Sequence, residues 1–113
     1  MPTSGDVVDL DLGAPEGHEA GFRHPVVIVT AQKILDSDPS VIHVVPLTST
    51  IRAFGSDVVL DPDTINGLGV TSAAACQHLR GVSSRRILRV RGNVGSVALN
   101  QIRETLALIL DLS

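Results

Sequence analysis

At 113 residues with a formal charge of −3, the chain is expected to be one domain spanning 1–113, and its charge argues against a generic nucleic-acid coat. Hydrophobic residues at 43% supply a core without staples, and the one cysteine, Cys76, permits no intrachain disulfide, which fits a reducing cytoplasm. No run reaches membrane-spanning length and no basic-then-apolar leader opens the chain, so a cytoplasmic protein is expected.

Gly5 to Leu12 sets Val7, Val8, Leu10 and Leu12 against Asp6, Asp9 and Asp11, which predicts a strand with one wet face. Gly13 to Gly21 reads as a loop, broken by Pro15 and glycines. Val26 to Ala31 is β-branched and apolar and predicts a buried central strand. Gln32 to Ser40 is a connection with room for a helical turn. Val41 to Thr50 is the next strand, with Pro46 expected near an end, an edge or a bulge because it has no N–H to donate. Asp57–Leu60 is a short strand, and Asp61–Gly69 a turn-rich loop. Ser72–Val82 and Ile87–Val94 are predicted as two strands around a turn at Ser83-Ser84.

The end of the chain changes period. Leu99, Ile102, Leu106, Ile109 and Leu110 recur at helical spacing, which predicts a helix over Val97–Asp111 with Ser96 as N-cap. The tally is a mainly β (α+β) domain: a compact antiparallel β-barrel or half-barrel with a C-terminal amphipathic helix packed on it. Aromatics are confined to Phe22 and Phe54, so the core must be aliphatic, and base stacking cannot dominate any recognition of single strands.

Charge is unevenly spread. Residues 1–63 hold ten acids and three bases, net −7, whereas residues 64–113 hold two acids and six bases, net +4. The basic half centres on Arg80, Arg85, Arg86, Arg89 and Arg91. That cluster reads equally well as a solvated hairpin face and as a track for RNA phosphates. No Cys/His/Asp spacing points to a metal site and no glycine-rich phosphate loop opens a helix, so no cofactor is expected.

The stretch Gly17–Thr30 concentrates ionisable groups at the mouth of a buried strand: His18, Glu19, Arg23 and His24 precede Pro25 and Val26 to Val29. A strand holds such groups rigidly while the loop keeps them wet. Arg23 and His24 are adjacent, so strand alternation points them to opposite sides, and only one can face a site without a bulge. Histidines titrating near neutrality can exchange protons, a guanidinium can stabilise charge on phosphoryl oxygens, and a threonine hydroxyl can hydrogen-bond them. His18 reads more readily as a loop histidine and His43, inside an apolar run, as structural.

Three segments in order, Gly17-His18-Glu19 through Arg23-His24-Pro25, then Pro46-Leu47-Thr48-Ser49, then Gln77-His78-Leu79-Arg80, with Gly5-Asp6-Val7 and Asp11-Leu12 at the start, resemble the MazF/PemK toxin family from about Gly5 to Leu112. The resemblance implies an SH3-like half-barrel and a metal-independent, sequence-specific endoribonuclease of a toxin–antitoxin pair. It would leave 2′,3′-cyclic phosphate and 5′-hydroxyl ends. The family's Arg-Pro arginine is stretched here to Arg23-His24-Pro25, and Arg23 is the expected catalytic cation, with His24 in reserve. Thr48 takes the family's catalytic hydroxyl position, and His18 and His78 are further candidates for proton transfer. Gln77 and His78 stand where the family pattern has an acid and a glutamine, a departure that removes that acid. Glu19, Ser49, Gln77, Arg80, Arg85, Arg86 and Arg89 are the expected RNA-binding residues.

The resemblance also implies a homodimer with an RNA groove at its interface, blocked by an antitoxin carrying a disordered acidic and apolar tail. A different class of function, a CcdB-like toxin that binds DNA gyrase without catalysis, shares the fold. The Arg23/Thr48 pair and the lack of an aromatic-rich C-terminal anchor favour the enzyme.

Overall fold

In a computed structural model the protein is described over residues 2–12, 23–52 and 55–112. The chain runs β1 (Asp6–Asp11), β2 (Arg23–Ile28), α1 (Gln32–Leu35), β3 (Val41–Thr48), β4 (Asp57–Leu60), β5 (Ser72–Ala75), β6 (Arg80–Ser83), β7 (Ile87–Asn93) and α2 (Gly95–Ile109). Among the described residues these strands form one seven-stranded antiparallel sheet in the order β4-β5-β3-β2-β1-β7, with β6 pairing β3 as well.

Strand alternation divides the core into two layers. Val7, Val27, Val45 and Leu47 face α2, where Leu99, Ile102 and Leu106 cover them. Val8, Leu10, Val26, Ile28, Ile42 and Val44 face the other way and are closed over by Leu35 and Val82, with Leu12 and Ile87 packed alongside. The sheet is therefore curled around its second layer, as a half-barrel requires. Each fully buried aliphatic side chain, such as Ile28 or Ile102, contributes about 1.5–3 kcal/mol of transfer free energy.

Four expectations need correction. β1 has no wet face up to its last residue: Asp6 is 7% and Asp9 8% exposed. Their charges are met instead by partners, since Asp6 accepts from Thr3 N–H and Asn93 Nδ2, and Asp9 pairs with Arg89 and Arg91. Ser72–Val82 is not one strand. β5 pairs the C-terminal half of β3 and β6 its N-terminal half, and the ladder skips Val45 and Pro46. Pro46 has no N–H for a ladder, and opposite it the chain makes a 3-10 turn, Cys76–His78.

Nor do β6 and β7 form a hairpin, because a second 3-10 turn, Ser84–Arg86, sends β7 across to β1. Finally, α2 starts two residues earlier than its apolar spacing suggested, with Val94 as N-cap. The orphan donor there is Gly95 N–H, and the Asn93 side chain accepts from it at 2.8 Å, so Ser96 is not the cap.

The loop from Asp61 to Gly69 is built by side chains. Asp63 Oδ1 accepts from the N–H groups of Ile65 and Asn66, and Asn66 Oδ1 from those of Asp63 and Leu68. Gly67, at φ +69°, packs on the Arg91 backbone, and a Cβ on Gly92 would collide with the Ile65 carbonyl. This seats the loop against β7 and delivers Leu68, Gly69 and Val70 to the site described next.

Candidate active site

Three adjoining cavities open at the end of β2 and β3. The largest, about 360 Å³, is lined by His24, Pro46, Leu47, Thr48, Thr50, Arg52, Ala75 and His78. A second, about 270 Å³, shares His24, Leu47 and Thr48 with it and adds Ser49, the Leu68–Val70 loop, Ser72 and Arg91. A third, about 200 Å³, shares His24, Pro46 and His78 and runs toward Leu10, Val26 and Arg80. His24 lines all three.

Local sequence accounts for this arrangement. The extended backbone before Pro25 sets His24 opposite Leu10 of β1, half-buried at the sheet's end. Pro46 breaks the ladder on β3, and the turn across from it carries His78 to the same opening. Thr48 closes β3, and its Oγ1 accepts a hydrogen bond from Thr50 N–H at 3.1 Å. An acceptor role toward the backbone leaves the hydroxyl proton available to donate into the cavity. Two imidazoles and a hydroxyl donor around one opening can move protons and hydrogen-bond an anionic group there.

The remaining sequence candidates are dispersed. Arg23 is exposed, pairs in register with Asp11, and lines none of these three cavities. Ser49 lines the second cavity and Arg80 the third. Gln77 donates from Nε2 to Ser56 Oγ at 3.0 Å and lines none of the three.

Arg85, Arg86 and Arg89 also lie away from them. Arg86 donates to the Asp11 carbonyl at 3.1 Å, and Arg89 Nε stands 3.5 Å from Asp9 Oδ2. His18 and Glu19 lie outside the described residues. Arg52, Thr50 and Arg91 line the site without having been singled out for it. Only Arg91 had a signal, its place in the basic cluster; Arg52 is one of three scattered bases in the acidic half of the chain.

Burial, together with the Asp57 carboxylate, pushes the Cys76 thiol up to about 11, so the one cysteine is an inert core residue and not a nucleophile. Among the described residues no three His, Cys, Asp or Glu side chains gather as metal ligands would.

Comparison with known proteins bears on the same chain length. The family described as PemK-like, MazF-like toxin of type II toxin–antitoxin systems matches residues 3–110. Endoribonuclease MazF9 of Mycobacterium tuberculosis (strain ATCC 25618 / H37Rv) is 34% identical over 116 aligned residues, covering 99% of this chain and 98% of that protein. Among solved structures, a MazE–MazF complex from Deinococcus radiodurans superposes with a TM-score of 0.79 at 24% identity, covering 99% of this chain and 97% of its own. An endoribonuclease in complex with its cognate antitoxin from a mycobacterial species gives 0.77 at 22% identity, covering 100% and 98%.

Proposed function

This chain belongs to the PemK/MazF toxin family, and from that premise we propose that it is the toxin of a toxin–antitoxin pair and cuts single-stranded RNA by transesterification at the cavities joined by His24. The observation that carries this reading is the convergence of His24, His78 and Thr48 on one opening. RNA brings its own nucleophile. The 2′-hydroxyl attacks the adjacent phosphorus, the P–O5′ bond breaks, and the ends left are a 2′,3′-cyclic phosphate and a 5′-hydroxyl.

The protein has three tasks in that step. One imidazole takes the 2′-hydroxyl proton, and the other supplies a proton to the leaving 5′-oxygen. Thr48 donates a hydrogen bond to a non-bridging phosphoryl oxygen as charge builds on it. This assignment gives His24 a proton-transfer role and takes the expected catalytic-cation role away from Arg23, because His24 is the member of the pair that lines the cavities. Bases are held by hydrogen bonds and backbone contacts, with Ser49, Arg80 and Arg91 on the cavity walls. Family membership favours this RNA chemistry over the gyrase-binding alternative.

Assembly follows the same reading. The toxin is a homodimer, and an antitoxin's acidic, apolar tail folds over the basic side and shuts out RNA. Exposed Val97, Leu108, Leu110 and Leu112 on and beyond α2 are apolar surface that a second copy or that tail would cover.

The test is incubation of the pure protein with a long RNA in EDTA, followed by analysis of the ends. Discrete fragments with cyclic phosphate and 5′-hydroxyl ends are expected. Intact RNA, or cleavage that stops in EDTA, overturns the reading.

A further inference from the structure

Transesterification at phosphorus adds negative charge to the non-bridging oxygens, and two imidazoles and a hydroxyl supply no permanent cation against it. The structure assigns that task to Arg52: we propose that Arg52, oriented by the buried carboxylate of Asp57, faces the phosphoryl oxygens in the largest cavity, an inference that rests on the nuclease reading above.

Three observations carry it. Arg52 lines the same cavity as His24, Thr48 and His78, and a guanidinium stays charged at any working pH. Its Nη2 lies 3.9 Å from Asp57 Oδ2, with the Asp57 side chain 4% exposed and that of Arg52 45% exposed. Among the described residues Asp57 Oδ2 is buried without a hydrogen-bond partner, a state that a fold has no packing reason to keep. A carboxylate held in that way sets a field at Arg52 without taking a hydrogen bond from it at this oxygen.

Among the arginines near the site, Arg52 is the one that lines the largest of the three cavities. Arg91 and Arg89 pair with Asp9, Arg86 donates to a carbonyl, and Arg80 lines only the third cavity. The surroundings of Asp57 also tie it to the catalytic turn. It pairs in register with Ala75, and its neighbour Ser56 accepts a hydrogen bond from Gln77, next to His78. Arg52 is thus the substrate-facing cation and Asp57 a positioning residue that fixes Arg52 and the His78 turn in one frame.

The experiment measures single-turnover cleavage of one RNA, and binding of its fully 2′-O-methylated copy, for the wild type and for Arg52→Gln, Arg52→Lys, Asp57→Asn and Arg52→Gln/Asp57→Asn. Arg52→Gln is expected to lose on the order of 100-fold in cleavage, as for loss of one oxyanion donor, with less than tenfold lost in binding. Arg52→Lys should recover at least tenfold of that loss. Asp57→Asn should slow cleavage in the wild type but add little on top of Arg52→Gln, since a residue acting through another is not additive with it.

Cleavage at the wild-type rate in Arg52→Gln, or equal losses in cleavage and binding, overturns the inference for Arg52. Additive losses in the double variant overturn the role of Asp57. A wild type that cuts no RNA overturns the nuclease reading and this inference together, whereas a cutting wild type with an unaffected Arg52→Gln overturns this inference alone.

Discussion

Asp9 Oδ1 accepts a hydrogen bond from Arg91 Nε at 2.9 Å, and that contact ties the middle of β1 to the wall of the second cavity. Arg89 joins from the same strand, so one buried carboxylate faces two of the arginines of the basic half.

Asp9→Asn should therefore have two opposite effects. Loss of a charge-assisted bond beneath two arginines should destabilise the fold by about 1–3 kcal/mol. The released charge should tighten RNA binding at low salt and steepen its salt dependence by up to about one counterion. Thermal melting and a salt titration of RNA binding check both; an unchanged salt slope would mean that Arg89 and Arg91 do not see the RNA.

Arg23 and His24 separate cleanly. His24→Ala should reduce cleavage on the order of 100-fold or more, the scale of a lost general acid or base. Arg23→Ala should stay within a few-fold, because Arg23 sits outside the cavities. Single-turnover rates on one RNA decide it, and a larger loss for Arg23→Ala would return the cation to that position.

Thr48→Val removes both functions of the hydroxyl, the bond accepted from Thr50 N–H and the proton offered to the cavity. A rate loss on the order of 100-fold is expected, with a stability change below about 1 kcal/mol because the turn is exposed. Thr48→Ser should keep most of the rate. A wild-type rate in Thr48→Val with a loss in Thr48→Ser would show that the methyl group, not the hydroxyl, is what the site needs.

The sequence disclosed this site unevenly, for physical reasons. Asp57–Leu60 was readable in full because a β-branched run between breakers has few other conformations, and the helix face at Leu99, Ile102 and Leu106 because its period is unambiguous. Alternation said that Arg23 and His24 diverge, but the phase is set by pairing with Leu10 on β1, which is invisible locally. The break at Cys76–His78 carries no glycine or proline of its own, and its cause, Pro46, lies thirty residues away. Asp6 and Asp9 looked wet because alternation cannot reveal that arginines and an asparagine from β7 come to meet them. Arg52 becomes noticeable only once β4 brings Asp57 under it.

Cys76 gives a pH signature. Its folded thiol titrates near 11 against 9.0 for the unfolded chain, so below pH 9 both states hold the proton and no stability depends on it. As pH rises from 9 to 11 the unfolded state alone loses the proton, and stability should fall across that window. Denaturant melts of the wild type and Cys76→Ala between pH 8 and 11 test this: the fall attributable to the thiol should vanish in the variant. Asp57→Asn should bring the onset of thiol alkylation in the native protein to lower pH, because the neighbouring negative charge is gone.

The pairing of β1 with β7 has a consequence for synthesis. The first strand to leave the ribosome finds one of its two neighbours only when the last strand follows, some eighty residues later. Until then Asp9 has no arginine, and Arg91, which walls the second cavity, is still unmade. A nascent or truncated chain is therefore an open sheet with an incomplete second cavity. On the nuclease reading, strand order alone withholds cleavage until the last strand has been made.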